Sequence, residues 1–141
     1  MSFPQPLRDL IDEFAALPWE LKLEFLADYA AQLPQPSTAA VADQVFEAVL
    51  ECQSPLAFAV SVGADDTVTL AFHVSPHAVT ANGYVGLLYA GLNGVSRNAI
   101  LAINRDIPTA LGLSGQLSQQ RLIGLRAVLF RMQQHLATLG H

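Results

Sequence analysis

The spacing of apolar residues changes period twice along this chain, and that order restricts the fold more than any other feature. Leu7, Leu10, Ile11 and Phe14 recur at helical intervals behind Pro6, which suits a first helical turn, so a short helix is predicted over 7–16. A second helix starts near Pro18. In it Trp19, Leu23, Leu26, Ala30 and Leu33 form one apolar stripe, with Glu20, Lys22, Glu24 and Asp28 mostly off it. Pro34 and Pro36 end that helix, and 34–43 reads as a connection. The pattern then turns to strand formers over 45–50, 56–62 and 67–74, with Gly63-Ala64-Asp65-Asp66 as a hairpin loop.

After Pro76 the helical pattern returns. The almost wholly apolar run 83–92 predicts a buried helix stopped by Asn93-Gly94. Ser96 is a candidate cap for a short helix over 97–103, and a turn is expected near 109–111. A long last helix begins near Ser118. Leu122, Leu125, Val128, Leu129, Met132 and Leu136 give it a wide apolar stripe, and Arg121, Arg126, Arg131 and Gln134 occupy the rest. Strands gathered in one meander between helices predict an α+β fold. It would have about three antiparallel strands, helices packed on one face, an N-terminal helix pair and the long C-terminal helix.

With 141 residues, 52% of them hydrophobic, one domain over 1–141 with a full core is expected. Seven basic against twelve acidic side chains and the lack of a basic cluster argue against nucleic acid, whose binding relies on Lys and Arg displacing counterions. No run of about 18 apolar residues is present, so no membrane partner is expected. The absence of a basic segment followed by an apolar one near Met1, together with a lone cysteine, fits the cytoplasm.

That cysteine, Cys52, falls on the connection between the first two strands, where a side chain is presented rather than packed. It cannot form an internal disulfide or supply a Cys-rich metal site by itself; it can pack as a small hydrophobe or act as a nucleophile and sulfur carrier. Its context, Cys52-Gln53-Ser54, resembles the sulfur-acceptor motif of the SufE family. The resemblance extends along the chain: Leu33-Pro34-Gln35-Pro36 at the exit of the helix pair, Gly83-Tyr84-Val85-Gly86-Leu87-Leu88 for the apolar helix, and Leu117-Ser118, Arg121, Gly124 and Leu125 for the C-terminal signature. Glu51-Cys52-Gln53-Ser54-Pro55-Leu56 with Arg121-Leu122-Ile123-Gly124 looks like the actinobacterial branch.

The resemblance implies a SufE/IscU-like fold and a protein that takes persulfide sulfur onto Cys52 from a cysteine desulfurase (SufS-like), stimulates desulfuration and passes sulfur to an Fe-S scaffold (SufBCD-like). It implies no resident cofactor or metal, and a transfer partner rather than an independent enzyme. Five positions depart from the usual pattern. Glu51 stands in place of Gly, Ser75 and His77 in place of an Asp pair, Asn82 in place of a basic residue, and Ile123 in place of Asn or Gln.

Persulfide transfer requires a thiolate. Glu51 disfavours one if its carboxylate points at the sulfur, and strand alternation offers the other direction. The expectation is therefore a thiol weakly reactive in the free protein and activated when the desulfurase docks and moves the loop. Arg121, near the N-terminus of the last helix, is set against the helix dipole. It is a candidate stabiliser of the thiolate or persulfide, or else a solvated residue or a partner of Asp106 or Glu51. Gln53 and Ser54 are expected to shape the loop, and Pro55 holds Ser54 extended. A competing reading is a small cysteine-dependent hydrolase or transferase that pairs Cys52 with His73 or His77. A cluster scaffold, which uses several cysteines, and a purely structural adaptor are further alternatives.

Overall fold

The computed structural model describes residues 3–34 and 46–139. Helix α1 (Gln5–Ala15) carries a proline in its first turn and buries Leu7, Ile11 and Phe14, which lie four and three residues apart on one face. Helix α2 is Trp19–Gln32. Strands β1 (Glu47–Ala48), β2 (Leu56–Val62) and β3 (Val68–Val74) form an antiparallel sheet in the order β1-β2-β3. Four helices follow: α3 (Val79–Leu92), α4 (Arg97–Leu101), α5 (Ile107–Ala110) and α6 (Gln119–Thr138).

The sheet register sorts its two faces. Leu56, Phe58, Val60 and Val62 lie opposite Val74, Phe72, Leu70 and Val68, so these eight side chains share one face. Phe58, Phe72 and Val68 on that face are almost fully buried and join one core cluster with α1, α3 and α6. Each contributes about 1.5–3 kcal/mol by leaving water. The other face carries Ala57, Ala59, Ser61, Thr69, Ala71 and His73. The α+β arrangement and three-stranded meander agree with the sequence pattern.

Three details differ from it. The first strand shrinks to Glu47–Ala48, because Val49 turns inward and starts the loop that follows; the expected Val45 and most of 34–43 lie outside the described residues. Helix α3 begins at Val79 rather than 83, continuing through Thr80 and Asn82 despite their modest propensity. In α2 the stripe is rotated: Leu23 is 43% exposed, whereas Lys22 is only 8% exposed. The Lys22 ammonium donates to the Leu111 carbonyl at 3.0 Å and lies 5.4 Å from the centre of the Phe14 ring, which is what makes its burial tolerable.

Helices α2 and α3 approach closely because α3 presents glycine at the contact. A methyl on Gly83 would stand 2.7 Å from Leu26 Cβ, and one on Gly86 would stand 2.9 Å from the Tyr29 carbonyl carbon. Gly94, at φ +87°, gives the left-handed residue that ends the α3 segment and lets its N–H reach the Val68 carbonyl. That bond ties the end of α3 to the start of β3. The N-terminal end of the same helix is thereby fixed beside the β1–β2 connection, where Cys52 lies.

Candidate functional site

The β1–β2 connection is a closed loop. The Val49 N–H donates to the Leu56 carbonyl at 2.8 Å, and the Cys52 N–H donates to the Val49 carbonyl at 3.1 Å. Val49 is buried as an anchor, while Leu50 at the tip of the turn is 79% exposed. At the far end the Pro55 carbonyl accepts the Ser75 N–H at 3.3 Å, which ties the loop to the segment leading into α3.

The loop rests on helix α6 at Gly124. A methyl there would stand 3.2 Å from Cys52 Cα, 3.2 Å from the Glu51 carbonyl oxygen and 3.3 Å from Cys52 Sγ. The glycine is a landing place. Cys52 is half-buried on it, and its thiol donates to the Gly124 carbonyl at 3.4 Å. Burial, and next the charge of Glu51, push the thiol up to about 11. Very little thiolate exists at neutral pH in this state.

The Glu51 side chain is held by α6. Arg131 grips its carboxylate with two bonds, Nε at 2.7 Å and Nη2 at 3.1 Å, and donates from Nη1 to Glu47 at 3.1 Å. His135 adds a contact to Glu47 at 3.4 Å. The Arg131 bonds hold the Glu51 carboxyl below its usual range. In the sequence Arg131 stands only among the residues off the apolar stripe. Its signal is positional: it lies two helical turns beyond Gly124, so it shares the face on which the loop lands.

Cys52, Gln53 and Ser54 form one wall of a pocket of about 340 Å³. The first turn of α3 (Val79, Thr80, Ala81) and the N-terminal turns of α6 (Gln120, Arg121, Gly124) supply much of the rest. Ser118 caps α6 by accepting the Arg121 N–H at 3.2 Å. The Arg121 guanidinium is exposed at the pocket and makes no ion pair among the described residues. Both partners considered for it are taken, Glu51 by Arg131 and Asp106 by Arg126 at 2.6 Å. His77 lines the same pocket. His73 does not: it pairs in register with Ala57 on the open sheet face, and its ring centre is 6.1 Å from that of Phe46. Neither histidine bonds the sulfur, whose hydrogen-bond partner is the Gly124 carbonyl, so the Cys–His pair of a hydrolase is not formed. Among the described residues no cluster of three His, Cys, Asp or Glu side chains is arranged to hold a metal ion. No helix among them is long and apolar enough to cross a membrane.

The family model for SufE, described as an Fe-S metabolism associated domain, matches residues 8–136. The chain belongs to the SufE family. This SufE chain is 37% identical over 136 residues to the uncharacterized SufE-like protein of two Mycobacterium tuberculosis strains; the match spans 96% of this chain and 94% of the mycobacterial one. A solution structure of a hypothetical protein from Thermus thermophilus superimposes with a TM-score of 0.84 at 34% identity, covering 96% of both chains. The SufE fold thus places Cys52, Gln53, Ser54 and Arg121 around one pocket, brings in His77, and leaves His73 apart.

Proposed function

We propose that this SufE-family protein is a sulfur acceptor. Cys52 takes persulfide sulfur from a cysteine desulfurase and hands it to an Fe-S cluster scaffold. The observation that carries the reading is the placement of the chain's lone thiol at the wall of a pocket roomy enough for a second sulfur, on a loop that rests on α6 through a glycine.

In the transfer, the Cys52 thiolate attacks the outer sulfur of the desulfurase persulfide. A bond forms between Sγ and that sulfur, the desulfurase S–S bond breaks, and the desulfurase cysteine leaves as its thiolate. Sulfur and its electrons move without net oxidation. The protonated resting thiol fits a carrier that waits for its donor: docking lifts Sγ from the Gly124 carbonyl and from its half-buried site, and the pKa falls toward its ordinary value. The surroundings suit a protein partner, with Leu50, Ile123 at 53% exposure and Val79 at 51% as exposed apolar side chains flanking the Cys52 loop. Arg121, exposed and unpaired among the described residues, is the cation available to the anionic sulfur. Gln53 and Ser54 hold the loop's form as it moves.

The test mixes the protein with a cysteine desulfurase and free cysteine, then weighs the Cys52 peptide. Gain of one sulfur atom on that peptide, absent in Cys52→Ser, is expected, together with greater sulfide output from the desulfurase. No gain, or the same gain in Cys52→Ser, rejects the proposal.

A further inference from the structure

The charges beside Cys52 do not balance. Arg131 on α6 serves two carboxylates at once, Glu51 at 2.7 and 3.1 Å and Glu47 at 3.1 Å. Glu47, on β1, also meets His135 at 3.4 Å. Arg131 therefore keeps a partner whether or not Glu51 stays, and the carboxylate able to leave is the one on the loop. Glu51 is exposed, and each of its oxygens accepts one bond among the described residues, which leaves acceptor positions open. Its departure has a mechanical consequence. The loop rests on α6 at two places two helical turns apart, Cys52 at Gly124 and Glu51 at Arg131. Successive residues stay about 3.8 Å apart, so drawing Glu51 off Arg131 draws Cys52 off its glycine. Exposed apolar side chains adjoin both ends of the ion pair: Leu50, at 79% exposure, precedes Glu51, and Phe130, at 58%, precedes Arg131. A partner that covers them removes water from the pair, and charges act more strongly there.

We propose that Glu51 is a docking handle for a cationic side chain, Lys or Arg, of the sulfur donor, and that its transfer from Arg131 to that cation frees the Cys52 loop, an assignment that rests on Cys52 being a sulfur acceptor. The exchange conserves ion pairs. Glu51 trades one cation for another while Arg131 keeps Glu47, so neither a carboxylate nor a guanidinium is left bare under the partner, where an unpaired charge is costly. Complementarity favours a cation over an anion in this place, because the cluster of Glu47, Arg131 and Glu51 already holds two carboxylates to one guanidinium. Arg131 acts through Glu51 and is a positioning residue. Cys52 remains the residue that accepts the sulfur.

The test compares two variants that break the same ion pair. Arg131→Gln removes the latch and leaves the handle, whereas Glu51→Gln removes both. Each whole chain is titrated into a cysteine desulfurase with free cysteine and dithiothreitol, and sulfide output gives the concentration for half-maximal stimulation. Alkylation of Cys52 by iodoacetamide, without the desulfurase, reports the loop. Asp65→Asn, in the hairpin between β2 and β3, makes the same charge change as Glu51→Gln away from the site. Alkylation is expected to accelerate in Arg131→Gln and in Glu51→Gln. An exposed ion pair is worth up to about fivefold, so Arg131→Gln is expected to need about two- to fivefold less protein for half-maximal stimulation. A hydrogen bond to a charged group is worth about tenfold or more, so Glu51→Gln, even with its latch gone, is expected to need at least about threefold more. Asp65→Asn is expected to match the wild type. Half-maximal concentrations that move in the same direction in the two site variants would overturn the assignment. So would a shift in Asp65→Asn equal to that in Glu51→Gln, or alkylation at the wild-type rate in both site variants. In each of these cases the wild type still gains sulfur on Cys52 and the proposed function stands; a wild type that gains none rejects that function and this assignment with it.

Discussion

Gly124→Ala sets two opposing effects against each other at the point where the Cys52 loop meets α6. In a helix interior alanine is favoured over glycine by about 1 kcal/mol. The new methyl, however, would stand 3.2 Å from Cys52 Cα and from the Glu51 carbonyl oxygen, and 3.3 Å from Sγ. Overfilling a site that cannot move costs about 1–3 kcal/mol. Here the neighbour is a loop beside a strand of two residues, and a shift of a few tenths of an ångström (~0.3 Å) removes the overlap. The expected result is a net stability change within about 1 kcal/mol, with the loop lifted from the helix. The thiol should change far more than the fold. Cys52 is held at about 11 against an ordinary 9.0, so full relief of that shift would raise the thiolate fraction near neutral pH by about a hundredfold. A partial lift should still speed alkylation by iodoacetamide severalfold, up to about tenfold. Alkylation rate and urea midpoint, measured on the same preparation, decide the matter. A variant that gains about 1 kcal/mol and alkylates at the wild-type rate would refute the claim that Gly124 carries the loop.

Glu51→Gln removes both the Arg131 grip and a charge that disfavours the thiolate, so Cys52 alkylation should accelerate; Arg131→Gln should accelerate it less, because it leaves that charge in place. The folded protein keeps the Cys52 proton up to about 11, whereas an unfolded chain releases it near 9.0. Stability present below 9.0 should therefore be lost as pH climbs toward 11, and urea titrations should show that extra loss in the wild type but not in Cys52→Ser. Gly83→Ala should lower stability by about 1–3 kcal/mol in urea unfolding, because its methyl meets Leu26 in the α2–α3 contact. His73→Ala should leave sulfur loading at the wild-type rate, whereas a hydrolytic Cys52–His73 pair would make that variant lose ester turnover.

Strand β2 was legible to the residue, since 56–62 alternates and is bounded by Pro55 and Gly63. Helix α6 and its apolar stripe were equally plain, because Leu122, Leu125, Val128, Leu129, Met132 and Leu136 repeat along its length and all are buried. Lys22 was not legible. A lysine is buried only when a distant carbonyl and an aromatic ring wait for it, and here those are Leu111 and Phe14, one of them 89 positions away. The same holds for the site. The motif around Cys52 could be read, but the direction of Glu51 depended on Arg131, 80 positions further on. Strand alternation offered two directions for that carboxylate, and only the tertiary contact with α6 chose between them. Tyr84 read as one more apolar residue in an apolar run; that its oxygen lacks a partner among the described residues is a property of the packed state.

The bond from Cys52 to the Gly124 carbonyl also bears on chemical damage. Peroxide attacks thiolates and drives them through sulfenic acid toward irreversible sulfinic and sulfonic acids. A thiol that is half-buried, protonated and occupied as a donor offers that reaction almost no nucleophile. This chain has no second cysteine to rescue a sulfenic acid as a disulfide, so a single overoxidation would end the molecule's service. Resting against α6, the loop makes Cys52 quiet toward oxidants, and in the proposed acceptor role the contact that would delay sulfur acceptance would also preserve the capacity for it.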